Sequence, residues 1–463
     1  MFELLEKVLK EAKSWTEIRY HHRLRNTISV RKGELENISS NIYSGVGIRV
    51  LLNGAWGFSS TSKLTLKDLL YTLQESEKSA QILGSYKKDK IKPIPKTNLA
   101  QGKFAPQIGD DLHNHTLEEK LTLVLDTEKM VRKSSPLIQS ASCAYSELLD
   151  EKYILTSDGA RTHIIDMKPE FKVSAIAAKN GELTGAGEST GVTGGWDALF
   201  RNKKPKEMAD KSAQTAIDLL QAEYPPGGKA TVILDPAVVG LLVHEAIGHT
   251  VEADFVQAGA ITKDKIGEQV ASELVTLCDS GYSEIEPDAA GTVLVDDEGV
   301  SAKKVVIIEH GILRSYLHNR ETAALFNVEP TGNARAFEYS NEPIIRMRNT
   351  YIEPGQSEFE EMVAGIKHGY FLKGAVGGQA DSNAEFMFGI QQAYEITNGK
   401  IGKLLRGITI SGQAFDVLKS VDAVGNRFKW DMGTGYCSKG QLAKVDGGGP
   451  YLRCQVIIGG RQK

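Results

Sequence analysis

The chain has 463 residues, of which 41% are hydrophobic and 25% charged, and its formal net charge is −4. These proportions describe a soluble globular protein with a sizeable core, long enough for about three ordinary domains. The charge is not concentrated in either half and forms no basic stripe, which points away from nucleic acid as a partner.

The first residues, "MFELLEKVLKEAKSW", carry Phe2, Leu5, Leu9 and Ala12 at helical spacing, with Glu3, Glu6 and Glu11 between them. They read as an amphipathic helix and not as a signal peptide. Residues 17–61 alternate and are broken by Lys-Gly and Asn-Gly turns, the pattern of short strands. Thr65 with Asp68 predicts a capped helix whose apolar face holds Leu66, Leu69, Leu70 and Leu73. Residues 85–112 are rich in Lys and Pro and lack periodicity, so they read as a connector. Thr116 with Glu119 predicts a second capping box before a helix to about Lys133. Strand-like segments follow to about residue 180, then a helix ending near Tyr224. The cluster "YPPGG" after it is the clearest boundary in the chain. Beyond it the sequence is Gly-rich and strand-rich, with hairpin candidates such as "VVIIEHGILRSYL". Strands and helices come in blocks, which favours an α+β fold. The expected units are 1–84, a connector at 85–112, a central unit at 113–224 and a larger, strand-rich unit at 225–463.

The chemistry concentrates in "ATVILDPAVVGLLVHEAIGHTVEADFV", residues 230–256. "ATVIL" is a buried strand, Asp235 can cap a helix, and Pro236 suits its first turn. From Ala237 to Val243 that helix is apolar on every side, so it belongs inside the protein. The run is far too short to span a bilayer, which takes about 20 residues. At the end of this helix stand His244, Glu245 and His249. Zinc peptidases commonly carry H-E-x-x-H, which puts both histidines on one helical face. Here the step is one residue longer, and on a straight α-helix it leaves the two rings about 140° apart. A π-bulge, or a loosening at Gly248, would bring them together. From spacing alone the pair fits core histidines bonded to backbone equally well. Glu245 has no simple packing role, and Glu252 and Asp254 offer carboxylates of the kind that receive the second N–H of a metal-bound histidine. These three acids favour a metal site.

With their surroundings these residues resemble the TldD/PmbA family of DNA gyrase modulators, also described as metallopeptidases. The resemblance extends through "GVGIRVLLNGAWGFSST" (45–61), "TGNARAFEYSNEPIIRMRNTYIEPG" (331–355), "KGAVGGQADSNAEFMFGIQQAYEITNGKIG" (373–402) and "GITISGQAFDVLKSVDAVGNRF" (407–428). It covers nearly the whole chain, and the C-terminal half is its most specific part. The TldD branch keeps H-E-x-x-x-H and its paralogous PmbA/TldE branch lacks it, so this chain resembles TldD. The resemblance implies zinc held by His244, His249 and a cysteine of a Gly-rich C-terminal loop, with Glu245 as general base. It further implies cleavage of unfolded peptides, maturation of modified peptide precursors, and a dimer with a paralogue or with itself.

Four cysteines compete for the third ligand position. They are widely spaced with no C-x-x-C, which is no disulfide framework and fits a reducing, cytoplasmic compartment. Cys454 alternates with Leu452, Val456 and Ile458 on one strand face and reads as a core residue. Cys143 and Cys278 sit in strand-like surroundings. Cys437 lies in "DMGTGYCSKGQ", a Gly-rich loop with nothing apolar to pack it, and its G-x-C-x-K-G-Q setting matches the family cysteine. Glu252 or Asp254 could replace the thiolate. Three strong ligands leave a fourth position open, as catalytic zinc requires, whereas a non-catalytic peptide-binding subunit with structural zinc would close the site with a fourth protein ligand. Two other readings are weaker. "GVGIRV" lacks the third glycine of a nucleotide loop, and His113-Asn114-His115 reads as a polar turn.

Overall fold

The computed structural model describes residues 1–460. Its strands form two seven-stranded sheets, one six-stranded sheet and two short two-stranded ribbons, in an α+β arrangement. Among the described residues no helix is long and apolar enough to cross a membrane.

The first sheet is built from unusually long strands. Trp15–Arg31 pairs with Glu34–Leu52 on one side and with Ile138–Thr156 on the other. The sheet is therefore continuous between the N-terminal and central parts of the chain. The stretch read as a connector contributes the short strand Gln101–Phe104, parallel to Arg161–Lys179. Alternation decides which face is buried. Ile18, Val46, Ile48 and Val50 pack under the helices Phe2–Leu9 and Leu66–Tyr86 through Leu5, Val8, Leu69 and Leu73. Ile28, Val30, Tyr145 and Phe171 pack with residues of Leu117–Lys133 and Pro205–Leu219. The predicted capping box forms: Thr116 accepts from the Glu119 amide and the Glu119 carboxylate accepts from the Thr116 amide. The helix expected to reach Tyr224 stops at Leu219. Glu223 instead bridges to Leu405 and accepts from the Arg406 amide, so sheet pairing takes the last residues from the helix.

The C-terminal part holds the other two large sheets. His368–Ala380, Gly228–Leu234, Leu452–Gly459, Ile408–Gln413 and Glu385–Thr397 pair in that order, and the last pairs back to the first. The five strands close into a ring, which removes exposed edges. The six-stranded sheet places Asp446–Gly449 beside Asn349–Ile352. The predicted hairpin is present as Lys304–Glu309 with Ile312–Leu313. "GVGIRV" lies inside the strand Glu34–Leu52, which turns directly into Ala55–Thr61. No helix follows it, so a phosphate-binding turn is not formed there.

The apolar helix Pro236–Leu242 leaves the strand Gly228–Leu234 and enters the largest core cluster. Asp235 starts it: one carboxylate oxygen accepts from the Val238 amide at 3.0 Å and the other from the Gly374 amide at 3.0 Å. The helix lies against the Gly-rich strand Asp446–Gly449. A Cβ added at Gly240 would come within 2.7 Å of the Gly447 backbone. Only glycine lets the two backbones approach this closely.

Candidate metal centre

The helix changes winding where the histidines begin. Val243–Gly248 is a π-helix, followed by a single 3-10 turn at His249–Val251. The wider turn absorbs the extra residue between His244 and His249. Their rings meet edge to face, with centroids 5.4 Å apart and planes at 79°. Gly248 is tightly packed: an added Cβ would meet the Met347 sulfur at 1.9 Å. The π-bulge considered from the spacing is thus the device this chain uses.

Cys437 reaches the same place from 188 residues away, with its Sγ 3.0 Å from His249 Nε2. The ligand atoms of His244, His249 and Cys437 all lie within 4.8 Å of one another. Tetrahedral zinc with ordinary Zn–N and Zn–S bonds sets its ligand atoms about 3.5 Å apart, so small side-chain adjustments suffice. Cys437 does not sit in a bare loop as its sequence suggested. It lies on the strand Tyr436–Ser438, pairs with Ala443, and belongs to the main core cluster. The ribbon packs it on the histidines, a contact local sequence does not reveal.

His244 is only 1% exposed, and neither ring nitrogen meets a hydrogen-bond partner among the described residues. An unmade hydrogen bond of this kind costs about 1–3 kcal/mol. A core histidine would be bonded to backbone, whereas an imidazole aimed at His249 and Cys437 suits a metal ligand. Burial first, then the charges of His249, Arg346 and Arg335, hold its pKa well below the ordinary range. The ring is therefore neutral, the form that binds a metal. For His249 burial acts in the same downward direction, but Cys437 and Glu252 outweigh it and raise the pKa to about 10.

Glu245 Oε2 lies 3.9 Å from His249 Nε2, and both side chains are part-exposed. The site thus opens on the side where these two stand. Burial raises the Glu245 pKa, the direction expected of a carboxylate prepared to take a proton. Glu252 is fully buried and lies 3.3 Å from His249 Nδ1, as a carboxylate orienting a metal-bound histidine would. Among the described residues Asp254 makes no hydrogen bond or ion pair to either histidine. It pairs with Lys439 at 2.7 Å, so its connection to the site is indirect.

The other thiols stay apart. Cys143, Cys278 and Cys454 are buried, and burial raises all three. His113 and His115 pair with Asp111 and Asp110 at 2.7 Å each, in a polar turn. Three residues around the site lie in the segments that carry the family resemblance, Lys439 within G-x-C-x-K-G-Q itself, but were not singled out there. Arg346 donates to the carbonyls of Cys437 and Gln441 at 2.6 Å each. Arg335 donates to the carbonyls of Met347 and Lys444 at 2.6 Å each. Lys439 joins the ribbon to Glu252 at 2.9 Å. Only Lys439 stood close in sequence to a candidate ligand, two residues after Cys437.

Comparison with known proteins agrees along the whole chain. Family models described as PmbA/TldA metallopeptidase domain 1, central domain and C-terminal domain match residues 16–80, 110–220 and 227–459. A metalloprotease of Methanocaldococcus jannaschii is 38% identical over 98% of this chain and 99% of its own. A zinc metalloprotease TldD homolog of Saccharolobus solfataricus is 31% identical over 99% of this chain and 100% of its own. The fold matches a Thermotoga maritima chain solved as a candidate modulator of a DNA gyrase, with TM-score 0.81 at 22% identity over 99% of both chains. It also matches TldE from Thermococcus kodakarensis, with TM-score 0.77 at 17% identity over 99% of this chain and 100% of that one. With its three consecutive domain matches and full-length relatives, the chain belongs to the PmbA/TldD metallopeptidase family.

Proposed function

We propose that this protein is a zinc-dependent peptidase of the TldD type, acting on unfolded or extended peptides, including precursors of modified peptides. The observation that carries the reading is the buried, unpartnered imidazole of His244, grouped with His249 and Cys437 beside a part-exposed Glu245. His244, His249 and Cys437 would hold the metal. Bound zinc supplies Lewis acidity, which polarises a peptide carbonyl and makes a water easier to deprotonate. Glu245 takes the proton from the attacking water and returns it to the leaving amine. Glu252 keeps His249 in one orientation by accepting from Nδ1. Glu245 and His249 mark the open side, so the scissile bond arrives from there while His244 forms the floor.

A metal set on a buried helix is reached more readily by an extended strand than by a folded domain. Such a strand would be recognised mainly through main-chain hydrogen bonds, with loose side-chain preference. The free state of all four cysteines supports a reducing, cytoplasmic setting. The similarity to a TldE chain supports a paralogue, or a second copy, as partner.

The test is Glu245→Gln, assayed on one substrate in a stable and a destabilised form, with and without the paralogue. The amide keeps the shape but cannot accept the proton. The variant is expected to retain zinc and fold while losing at least about 100-fold in rate, the lower range for general-base catalysis. The parent is expected to cut the destabilised form in preference. Normal cleavage by Glu245→Gln removes it as the base. A parent that cleaves neither form under any condition favours a peptide-binding subunit with structural zinc.

A further inference from the structure

The cysteine and the second histidine are joined by more than their contact with each other. Lys439 stands at the turn of the ribbon, where its amide donates to the Gln441 carbonyl at 3.1 Å. Its ammonium donates to Glu252 at 2.9 Å, Asp254 at 2.8 Å and the Ile345 carbonyl at 3.2 Å. These use all three of its N–H groups. Its Nζ also lies 4.1 Å from the centroid of the Phe255 ring. Glu252, at 0% exposure, has two charged neighbours, Lys439 and His249. A buried carboxylate depends on such partners to stay in place.

The contacts form a closed circuit. Cys437 leads through Ser438 to Lys439, Lys439 to Glu252, Glu252 to His249, and His249 back to Cys437. We propose that Lys439 is a positioning residue, which locks the cysteine ribbon to the second histidine so that Cys437 and His249 present their ligand atoms as one unit. The inference rests on the reading that His244, His249 and Cys437 hold zinc. The rest of the ribbon does not need Lys439 for its shape. Arg346 grips the carbonyls of Cys437 and Gln441, and the strands Tyr436–Ser438 and Leu442–Lys444 pair directly. Loss of the ammonium therefore loosens the relation between ribbon and helix and leaves the ribbon itself intact.

The test compares the full-length protein with Lys439→Met, which keeps an unbranched side chain without the ammonium, and Lys439→Arg, which keeps the charge. Zinc affinity is measured by chelator competition. Alkylation of Cys437 in the metal-free protein is followed by peptide mapping. The Met variant is expected to bind zinc about 10–100-fold more weakly, the usual cost of losing a group that supports a metal ligand. Its Cys437 should be alkylated several-fold faster than in the parent. The Arg variant should recover most of both effects. Lys403→Met, which removes an exposed pair with Glu223, should change neither. If the Met variant fails to fold, Asp254→Asn, which weakens one of the three acceptors, carries the same two readouts and should show smaller shifts in the same directions. Unchanged zinc affinity and unchanged alkylation in the variants overturn the proposal. So does an effect that the Arg variant fails to reverse. A parent protein that binds no zinc refutes the metal reading itself, and the metal-free alkylation comparison still judges the lock.

Discussion

His249 shows how one residue's surroundings set the chemistry of the site. Burial favours its neutral form, but Cys437 at 3.0 Å and Glu252 at 3.3 Å dominate and raise its pKa to about 10. Metal-free protein at pH 7 is therefore expected to hold a proton on His249. Zinc requires the lone pairs of His249 and Cys437. Uptake of zinc near neutral pH is accordingly expected to release at least one proton, and affinity should tighten as pH rises from about 6 to about 9. Calorimetry in buffers of different ionisation enthalpy measures the proton count directly. A count of zero, with affinity flat over that range, would mean that His249 is already neutral or is not a ligand.

The element that makes the site is the helix running from Asp235 into the π turn. Its N-terminus was legible in the sequence, because Asp235 and Pro236 are local signals. So was its burial, because every side from Ala237 to Val243 is apolar. The histidine spacing posed the geometric problem, and the π turn at Val243–Gly248 is one of the two solutions it allowed. What the sequence could not supply were partners brought together by distant pairing. Cys437 is 188 residues from His249. Lys439 is 187 from Glu252 and 185 from Asp254. In the first sheet the Lys-Gly and Asn-Gly turns were readable, but the strands beside them run to 17 and 19 residues where short ones were expected, and the pairing of Trp15–Arg31 with Ile138–Thr156 was not readable, because loop closure leaves no local mark. The same element supplies a stability prediction. An alanine in a helix is ordinarily favoured over glycine by about 1 kcal/mol. At Gly240 the added methyl would press on the Gly447 backbone at 2.7 Å. Backbone cannot swing aside as a side chain can, so overpacking should prevail. Gly240→Ala is expected to destabilise by about 1–3 kcal/mol. Denaturant unfolding decides the sign, and a stabilised variant would refute the close packing.

Across the whole molecule, buried ion pairs join the N-terminal sheet to the C-terminal part. Arg49 lies between Glu17 at 2.7 Å and Glu298 at 2.6 Å, and Glu298 also accepts from the Arg320 amide at 2.7 Å. One guanidinium serves two buried carboxylates. Burial first, with the charge of Glu298 adding to it and Arg49 and Arg19 opposing, raises Glu17 from 4.5 to about 7. Because the folded value is raised, the folded state holds a proton that the unfolded chain has released between these two pH values. The contribution of Glu17 is therefore fully present below about pH 4.5 and is lost as pH rises through about 7. Gln at this position does not titrate. The stability of Glu17→Gln relative to the parent should rise between about pH 5 and about pH 8 and stay constant below. Thermal melts across that range test it, and parallel profiles would show that Glu17 is ionised throughout.

We propose that two histidines on a π turn and one distant cysteine form an open zinc site. Its most direct test is an anomalous difference map recorded at the zinc edge from crystals grown with stoichiometric zinc. One strong peak per chain is expected, bonded to His244, His249 and Cys437, with no fourth protein ligand and with Glu245 beside it. A peak bonded to Cys454 or to a carboxylate in place of Cys437, or a site closed by a fourth protein side chain, would contradict the proposal.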